Sequence, residues 1–187
     1  MQTDRTDHLI ISNIVKKNSR VLDIGCAEGT LLKKLESNKN ISGQGIEIDH
    51  KKVEICLRKG LSVVEGDANF EIKNFPDHSF DYVILSQTLQ AFLDPENVIN
   101  ELLRIGKKAI VTIPNFGYWK VRIHLLFKGT MPVTENLPND WYNTPNLHMC
   151  SIKDFVNFCN KRKIKINISN LNYQNLFSEL GIFIIEK

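Results

Sequence analysis

The stretch VLDIGCAEG, residues 21–29, decides the fold of this chain. Its apolar residues predict a short buried strand, its glycines predict a turn, and the leucines that follow at helical spacing predict a helix. A strand, a glycine turn and a helix in this order bring backbone N–H groups and the Asp23 carboxylate to one edge of a parallel sheet. Open α/β folds bind their ligands at that edge, so we expect a ligand site here.

The glycine spacing of this turn distinguishes two kinds of ligand. A dinucleotide turn needs G-x-G-x-x-G, but Ala27 and Thr30 stand where the second and third glycines belong. Asp23 would also repel a pyrophosphate, whereas it would attract a cation or accept from hydroxyl groups. S-adenosylmethionine carries both positive charge and hydroxyl groups, and its carboxylate can accept hydrogen bonds from the N–H groups at the helix start. The form D-x-G-x-[GA]-x-G favours a Rossmann-like class I methyltransferase fold, with a purely structural glycine turn as the alternative.

Further acidic residues follow the next two predicted strands. Glu47 ends the strand in residues 43–49 and follows Asp23 by 24 residues. In dinucleotide folds a carboxylate about 20 residues on holds the ribose hydroxyls, which favours the same role for Glu47. We expect Asp49 to cap the next helix. Asp67, after the strand in residues 61–65, either accepts from an adenine amino group or only stabilises a turn.

Composition limits the class of protein. The 187 residues fit one domain, 1–187, and the net charge of +3 is too small to indicate nucleic-acid binding. No apolar run approaches the roughly 18 residues of a membrane helix, and the N-terminus lacks a signal-peptide core, so we expect a cytoplasmic protein that binds no membrane. The four cysteines form no C-x-x-C pair, which disfavours a disulfide framework and a metal site.

Strands alternate with helices along the whole chain. This order predicts an α/β fold with a mostly parallel, seven-stranded sheet and helices on both faces. The remaining predicted strands are residues 80–86, 108–114, 164–168 and 182–185. The remaining predicted helices are residues 7–17, 51–59, one between Asp94 and Gly106, and one that begins with a capping box of Ser151 and Asp154.

Residues 114–148 interrupt this alternation. The segment is rich in Asn, Pro and aromatic residues, and it follows the fifth strand, so we expect it over the ligand edge of the sheet. It is either a lid packed on its own aromatic residues or a contact surface. A helix is predicted over residues 118–128, and we expect most of its apolar residues in the core: Val121, Ile123, Leu125, Leu126 and Phe127.

Catalytic residues are less evident than binding residues. The residues after strand four read SQTLQ, with no Asp-Pro-Pro-Tyr-type motif, and they supply no acid–base pair. The polar side chains expected to face the site are Gln87, Gln90, Asn115, Tyr118, His124 and His148. The sequence therefore indicates binding more firmly than turnover.

Four stretches together resemble the MetW family of methionine biosynthesis proteins: VLDIGCAEG, FDYVILSQTLQ, IPNFGYW and MPVTENLPNDWYNTPNLHMCSIKDF. Family members usually read G-C-G-x-G, so Ala27 departs from the pattern and narrows the approach of a ligand. The resemblance implies S-adenosylmethionine or S-adenosylhomocysteine as the cofactor. It implies these cofactor-binding residues: Asp23, Gly25, Cys26, Ala27, Gly29, Glu47, Asp67, Ser86 and Gln87.

The resemblance also implies a protein partner, homoserine O-acyltransferase, which MetW-like proteins assist. The expected partner or substrate surface consists of Asn115, Tyr118, Trp119, Arg122, Trp141, Tyr142 and His148. Two functions therefore stay open: a partner or activator of the acyltransferase, and an active methyltransferase for an unknown small molecule. A third, an NAD-type binding module, is disfavoured by the glycine spacing and by Asp23.

Overall fold

The computed structural model describes residues 5–167 and 174–187, whose strands form one seven-stranded sheet in the order β3-β2-β1-β4-β5-β7-β6. The strands are β1 (Arg20–Ile24), β2 (Ser42–Glu47), β3 (Ser62–Glu65), β4 (Phe80–Ser86), β5 (Gly106–Pro114), β6 (Lys165–Asn167) and β7 (Leu180–Glu186). β1 to β5 are parallel, and β7 runs antiparallel to both β5 and β6. The predicted sheet is confirmed, although Ile168 of the expected sixth strand lies outside the described residues.

Helices cover both faces of this sheet, as the sequence predicts. The helices are α1 (Thr6–Ile14), α2 (Thr30–Lys39), α3 (His50–Arg58), α4 (Ala68–Glu71), α5 (Pro95–Ile105), α6 (Trp119–Lys128), α7 (Ile152–Lys161) and α8 (Gln174–Phe177). α1, α2 and α3 bury apolar residues in one core cluster, and α5 and α7 bury theirs in the other. The two clusters lie on opposite faces because successive strand residues point to opposite sides.

The helix ends follow the local signals. Asp49 Oδ1 accepts from Lys51 N at 2.9 Å, and Ser151 with Asp154 forms the predicted capping box at the start of α7. α1 ends at Ile14, three residues before its predicted end at residue 17, because Val15 is already extended with ψ 127°. Helical spacing of apolar residues therefore located the helix, and the backbone turn after it set its end.

The prediction that most apolar residues of α6 lie in the core is wrong. The helix forms as expected, but of the five apolar residues in question only Val121 is buried. Leu126 is 76% exposed and Phe127 is 79% exposed. Only Val121 of α6 packs inward, so most of the apolar side chains of this helix are exposed to water.

The strand order creates a crevice beside β1 and β4. These neighbours pair through Val21↔Tyr82 and Leu22↔Val83, and the chain continues from them in opposite directions across the sheet. The helix after β1 covers one face and the helix after β4 covers the other, so their first turns separate at the carboxyl ends of the strands. Open α/β folds bind ligands at such a point.

Candidate functional site

The turn after β1 is held open by left-handed backbone. Gly25 has φ 71° and Ala27 has φ 50°, while the Gly25 and Cys26 N–H groups donate to Ile46 O at 2.9 and 3.1 Å. A Cβ on Gly25 would lie 3.0 Å from two atoms of the Thr88 side chain. Only glycine therefore fits this position without strain, and it brings the backbone to the wall of the crevice.

Two residues of the same turn serve packing. A Cβ on Gly29, at φ 70°, would overlap Leu61 and approach Cys56 Sγ at 2.9 Å, and Gly29 lines neither of the two cavities that meet at this turn. Cys26 is buried, and a Cβ on Gly45 would lie 2.5 Å from its Sγ, which shows how closely the thiol packs on β2. Burial raises the pKa of the Cys26 thiol, so the group is a poor nucleophile.

Glu47 ties the ends of β1 and β2 together. Its Oε2 accepts from Ala27 N at 2.8 Å, and its Oε1 accepts from Ile48 N at 3.0 Å and Asp49 N at 2.9 Å. The side chain is buried, and these bonds fix both its rotamer and the turn that faces it. A carboxylate can accept more than three hydrogen bonds, so Glu47 keeps capacity for a ligand hydroxyl.

Three cavities follow one another along the carboxyl edge of the sheet. The β2 cavity, about 460 Å³, is lined by Gly25, Ala27, Ile46, Glu47, Asp67, Thr88, Phe92 and Pro145 among others. The β1 cavity, about 500 Å³, shares Gly25 and Ala27 with it and adds Arg5, Asp23, Cys26 and Ser86. The β4 cavity, about 530 Å³, shares Arg5 with the β1 cavity and adds Asp7, Gln87, Glu135 and Asn136.

Asp67 and Asp23 offer carboxylates to two of these cavities. Asp67 caps α4, and both Asn69 N and Asn69 Nδ2 donate to its Oδ1 at 2.8 Å. Asp23 is only 3% exposed, and burial raises its pKa to about 7, a rise that the nearby Asp7 and Glu47 carboxylates reinforce and that Arg5 opposes. A buried carboxyl of this kind gains most from a cationic ligand, because a positive charge favours its ionised form.

A polar cluster beyond Asp23 was missed from the sequence. Asp7 of α1 accepts from Arg5 Nη2 and from Ser86 Oγ, both at 2.6 Å, and Gln87 Nε2 lies 3.4 Å from Asp7 Oδ2 and 3.3 Å from Asn136 Oδ1. Burial would raise the pKa of Asp7, but the bonds from Arg5 and Ser86 outweigh it and hold this pKa below its ordinary value. Of this cluster, only Ser86 and Gln87 were predicted, and they sit between the β1 and β4 cavities.

Most of the predicted partner or substrate surface is accessible, but one member is not. Trp119, Arg122, Trp141, Tyr142 and His148 are exposed, and Tyr118 is half-buried. The prediction that Asn115 belongs to this surface is wrong, because the residue is only 1% exposed. Its Oδ1 accepts from Gly117 N and Ile152 N, and its Nδ2 donates to Asn175 O and Ser178 O, so Asn115 fastens loops together.

The predicted surface also divides between two places. His148 lines a separate, mostly apolar cavity of about 210 Å³ beside α5 and α7, and its backbone N donates to Gln90 O at 3.0 Å. Pro145, three residues earlier, lines the β2 cavity. The segment that follows α6 therefore reaches back to the ligand edge, as its position after β5 predicts.

The described part of the chain contains neither a cluster of metal-ligating side chains nor a membrane-spanning helix. Within residues 5–167 and 174–187, no three His, Cys, Asp or Glu side chains are grouped so that they would hold a metal ion. In the same ranges, no helix has the length and apolar character that crossing a membrane requires.

Comparison with known proteins decides the family. The model described as "Methionine biosynthesis protein MetW" matches residues 5–185, nearly the whole chain. The chain belongs to the MetW family. This membership supports a role in methionine biosynthesis, and it confirms the resemblance drawn from the four sequence stretches.

A curated relative carries the family name within a larger protein. The chain is 34% identical over 161 residues to the "Bifunctional methionine biosynthesis protein MetXA/MetW" of Rhodopirellula baltica. The match covers 81% of this MetW chain but only 26% of the relative, so the chain spans about a quarter of that protein's length. The rest of the relative lies outside the matched region.

Solved structures similar to this MetW chain share its fold. An S-adenosylmethionine-dependent methyltransferase from Mesorhizobium loti is 13% identical with a TM-score of 0.73, and the match covers 97% of this chain and 98% of that one. The structure described as a complex between the Haloferax volcanii Trm112 methyltransferase activator and a putative methyltransferase is 16% identical, with a TM-score of 0.69 and coverage of 97% and 90%. The methyltransferase-like fold is thereby confirmed.

Proposed function

We propose that this MetW chain binds S-adenosylmethionine, or S-adenosylhomocysteine, across the β1 and β2 cavities. The observation that carries the proposal is the pair of buried carboxylates, Asp23 and Glu47, on opposite sides of the turn that both cavities share. The ligand's ammonium group would offset the cost of ionising Asp23, and its ribose hydroxyls would donate to Glu47. Its sulfur lies between those two groups, so the turn would face the middle of the molecule.

The other predicted cofactor-binding residues divide into two roles. Gly25 and Ala27 would let the ligand approach the backbone, Asp67 would accept from the adenine amino group, and Ser86 would border the methionine end. Cys26 and Gly29 would act through packing, and Gln87 would act from the neighbouring β4 cavity. The donor set suits this ligand because it combines carboxylates, open backbone and an apolar wall from Phe92 and Ile46.

We further propose that the chain assists homoserine O-acyltransferase, as its partner or activator, in a cytoplasmic setting. The support is the Rhodopirellula baltica relative, whose name unites MetXA and MetW in one polypeptide. Joining two proteins in one chain keeps them in equal amounts and at high effective concentration, which suits proteins that work in contact. We take the MetXA part to be the acyltransferase.

A small-molecule methyltransferase is the second candidate. The β4 cavity favours it, since this cavity adjoins the proposed cofactor site at Arg5 and has room for a small acceptor. Three carboxylates line this cavity: Asp7, Glu135 and Glu179. Asp7, the one beside the proposed cofactor site, is a weak base, because Arg5 and Ser86 bind it and its pKa is lowered, which favours binding over turnover.

The test is a homoserine acylation assay with purified acyltransferase, with and without this chain and with and without S-adenosylmethionine. We expect the chain to raise the acylation rate, and we expect Trp141→Ala, a change at an exposed predicted contact, to reduce that effect. An unchanged rate together with no complex would refute the partner role. Transfer of a labelled methyl group to a small molecule would instead support the second candidate.

A further inference from the structure

The outward side of α6 is apolar. Four residues form what we term the α6 face, Trp119, Ile123, Leu126 and Phe127, with exposed fractions of 38%, 46%, 76% and 79%. At about 100° per helical residue, these four lie on the side opposite Val121, which is 2% exposed and packs inward. The large apolar side chains of α6 therefore face water, whereas those of an ordinary surface helix face the core.

α5 provides the contrast within the same molecule. It buries its apolar residues against the sheet and starts with an Asp94 cap whose Oδ1 accepts from Asn97 N at 3.0 Å. Water contact with a stripe of large apolar side chains costs free energy that burial would recover, at about 25 cal/mol per Å². A contiguous patch of this kind on a folded protein marks a site of association.

The flanks of the α6 face are basic. The helix reads WKVRIHLLFK and contains no acidic residue. Lys120 and Arg122 border the α6 face, whereas Lys128 lies within about 20° of Val121 on the other side. Arg122 Nε donates to Gly117 O at 2.7 Å, which holds that side chain beside the helix start, and Lys120 Nζ lies 5.8 Å from the Trp119 ring centroid. A complementary surface would therefore be an apolar groove with carboxylates along its rim.

These charges also discriminate between occupants. A symmetric pairing of two copies through α6 would bring the two basic side chains that border the face, Lys120 and Arg122, close to those of the other copy, and like charges oppose such an interface. The relative that unites MetXA and MetW in one chain favours a protein partner over a lipid surface. A helix laid in an apolar groove is a common mode of protein recognition.

We propose that the α6 face docks into an apolar, acid-rimmed groove of the homoserine O-acyltransferase. This inference rests on the partner role proposed above, and it names the surface that performs that role. Leu126 and Phe127 supply the buried anchors, while Lys120, beside the face, speeds association and sets its salt dependence.

The test compares Leu126→Glu with Leu57→Glu, a matched change at a leucine on α3 that is 56% exposed. Affinity for the purified acyltransferase is measured by calorimetry, with thermal melting and S-adenosylmethionine binding as checks on the fold. We expect Leu126→Glu to weaken the complex at least tenfold and Leu57→Glu to leave it unchanged. We expect Lys120→Gln to slow association and to reduce its salt dependence.

Each contrary result has a distinct meaning. Tight binding by wild type and equally tight binding by Leu126→Glu would overturn the docking surface and leave the partner role standing. No binding by wild type would overturn both. A wild-type dimer in sedimentation that Leu126→Glu dissociates, or Leu126-dependent binding to vesicles of anionic phospholipid, would also overturn the assignment, because the face would then be occupied by a second copy or by lipid.

Discussion

The turn after β1 and the segment from residue 114 to residue 148 both border the ligand edge, yet they are built in opposite ways. In the turn, buried polar groups meet their partners: Glu47 accepts three backbone N–H bonds, and the Gly25 and Cys26 N–H groups share Ile46 O. In the segment, large apolar side chains such as Leu126 and Trp141 face water. The polar groups of the turn have hydrogen-bond partners within the fold, whereas the segment leaves an apolar surface exposed to water.

This contrast separates two kinds of function. A closed network of hydrogen bonds preorganises a site for a small ligand, because the groups are already fixed before the ligand arrives. An exposed apolar helix gains free energy when its side chains are buried by another macromolecule, so it favours association. We therefore propose the turn as the cofactor site and the segment as the partner surface, and each proposal can be tested without the other.

The largest effect should follow Glu47→Ala. This change leaves the N–H groups of Ala27, Ile48 and Asp49 without their acceptor, so we expect the free energy of unfolding to fall by about 2–4 kcal/mol and S-adenosylmethionine binding to disappear. Urea unfolding and calorimetry measure the two effects. Glu65→Ala, at the exposed end of β3, is the control and should change stability by less than about 1 kcal/mol. Equal effects of the two changes would remove Glu47 from the centre of the site.

Gly25→Ala should come next. Gly25 has φ 71° and is crowded by Thr88, whereas Gly60 has φ 76° and no atom within 4 Å of the place that a Cβ would take. Left-handed strain costs about 1–2 kcal/mol at either position, so Gly60→Ala measures that cost alone. We expect Gly25→Ala to cost about 1 kcal/mol more and to weaken S-adenosylmethionine binding at least tenfold, as read by thermal melting and calorimetry. A binding loss in Gly60→Ala as well would indicate a global effect.

The pH dependence of cofactor binding tests Asp23. Its pKa of about 7 in the folded protein means that this carboxyl takes up a proton as the pH falls through the neutral range. A cationic ligand favours the ionised form, so the Kd for S-adenosylmethionine should fall by up to about tenfold per pH unit from pH 5 to pH 7. Calorimetry in buffers of different ionisation enthalpy should show proton release. Affinity that is independent of pH over this range would exclude contact between Asp23 and the cation.

Asp23→Asn is the matched control for this titration. Because the pKa of Asp23 is raised by burial, the wild type loses stability as pH rises from about 4 to about 7, and the loss is complete above that range. The Asn variant lacks this loss, so we expect it to be more stable than wild type at pH 8 by about 1–3 kcal/mol and nearly equal at pH 4. It should also bind S-adenosylmethionine weakly at every pH.

The smallest effect should follow Ala27→Gly. Ala27 has φ 50°, so glycine relieves strain of about 1 kcal/mol, but it also adds about as much entropy to the unfolded chain. We expect stability within about 0.5 kcal/mol of wild type and S-adenosylmethionine binding a few-fold tighter, because the methyl group no longer narrows the approach. Weaker binding would show that the alanine methyl group contributes a favourable contact.

Short-range patterns in the sequence were enough for the sheet and for the turn. β4 has the predicted bounds of residues 80–86, and Asp94 and Gly106 border α5 as predicted, because caps and strand ends depend on neighbouring residues. The long-range partner of Asp7 could not be found this way. Arg5 lies two residues before Asp7 along the chain, but Ser86 comes from the end of β4, and only the fold brings it to Asp7.

The error at α6 has a related cause. Apolar spacing predicted its helix but not how much of it would pack, since only Val121 of α6 is buried in the fold. Asn115 failed for the opposite reason: an Asn among aromatic residues resembles a surface loop, yet its side chain satisfies backbone groups of residues 117, 152, 175 and 178. In both cases burial depended on contacts between distant parts of the chain.

The most direct measurement is calorimetric titration of S-adenosylmethionine into wild type and Glu47→Gln, with NAD as a control ligand. The glutamine side chain would keep the shape of the glutamate while removing its charge and one acceptor oxygen, so the fold should survive. We expect saturable one-to-one binding by wild type, at least tenfold weaker binding by Glu47→Gln, and no heat from NAD. Absence of binding by wild type, or equal affinity in the variant, would contradict the assignment of the cofactor site to this turn.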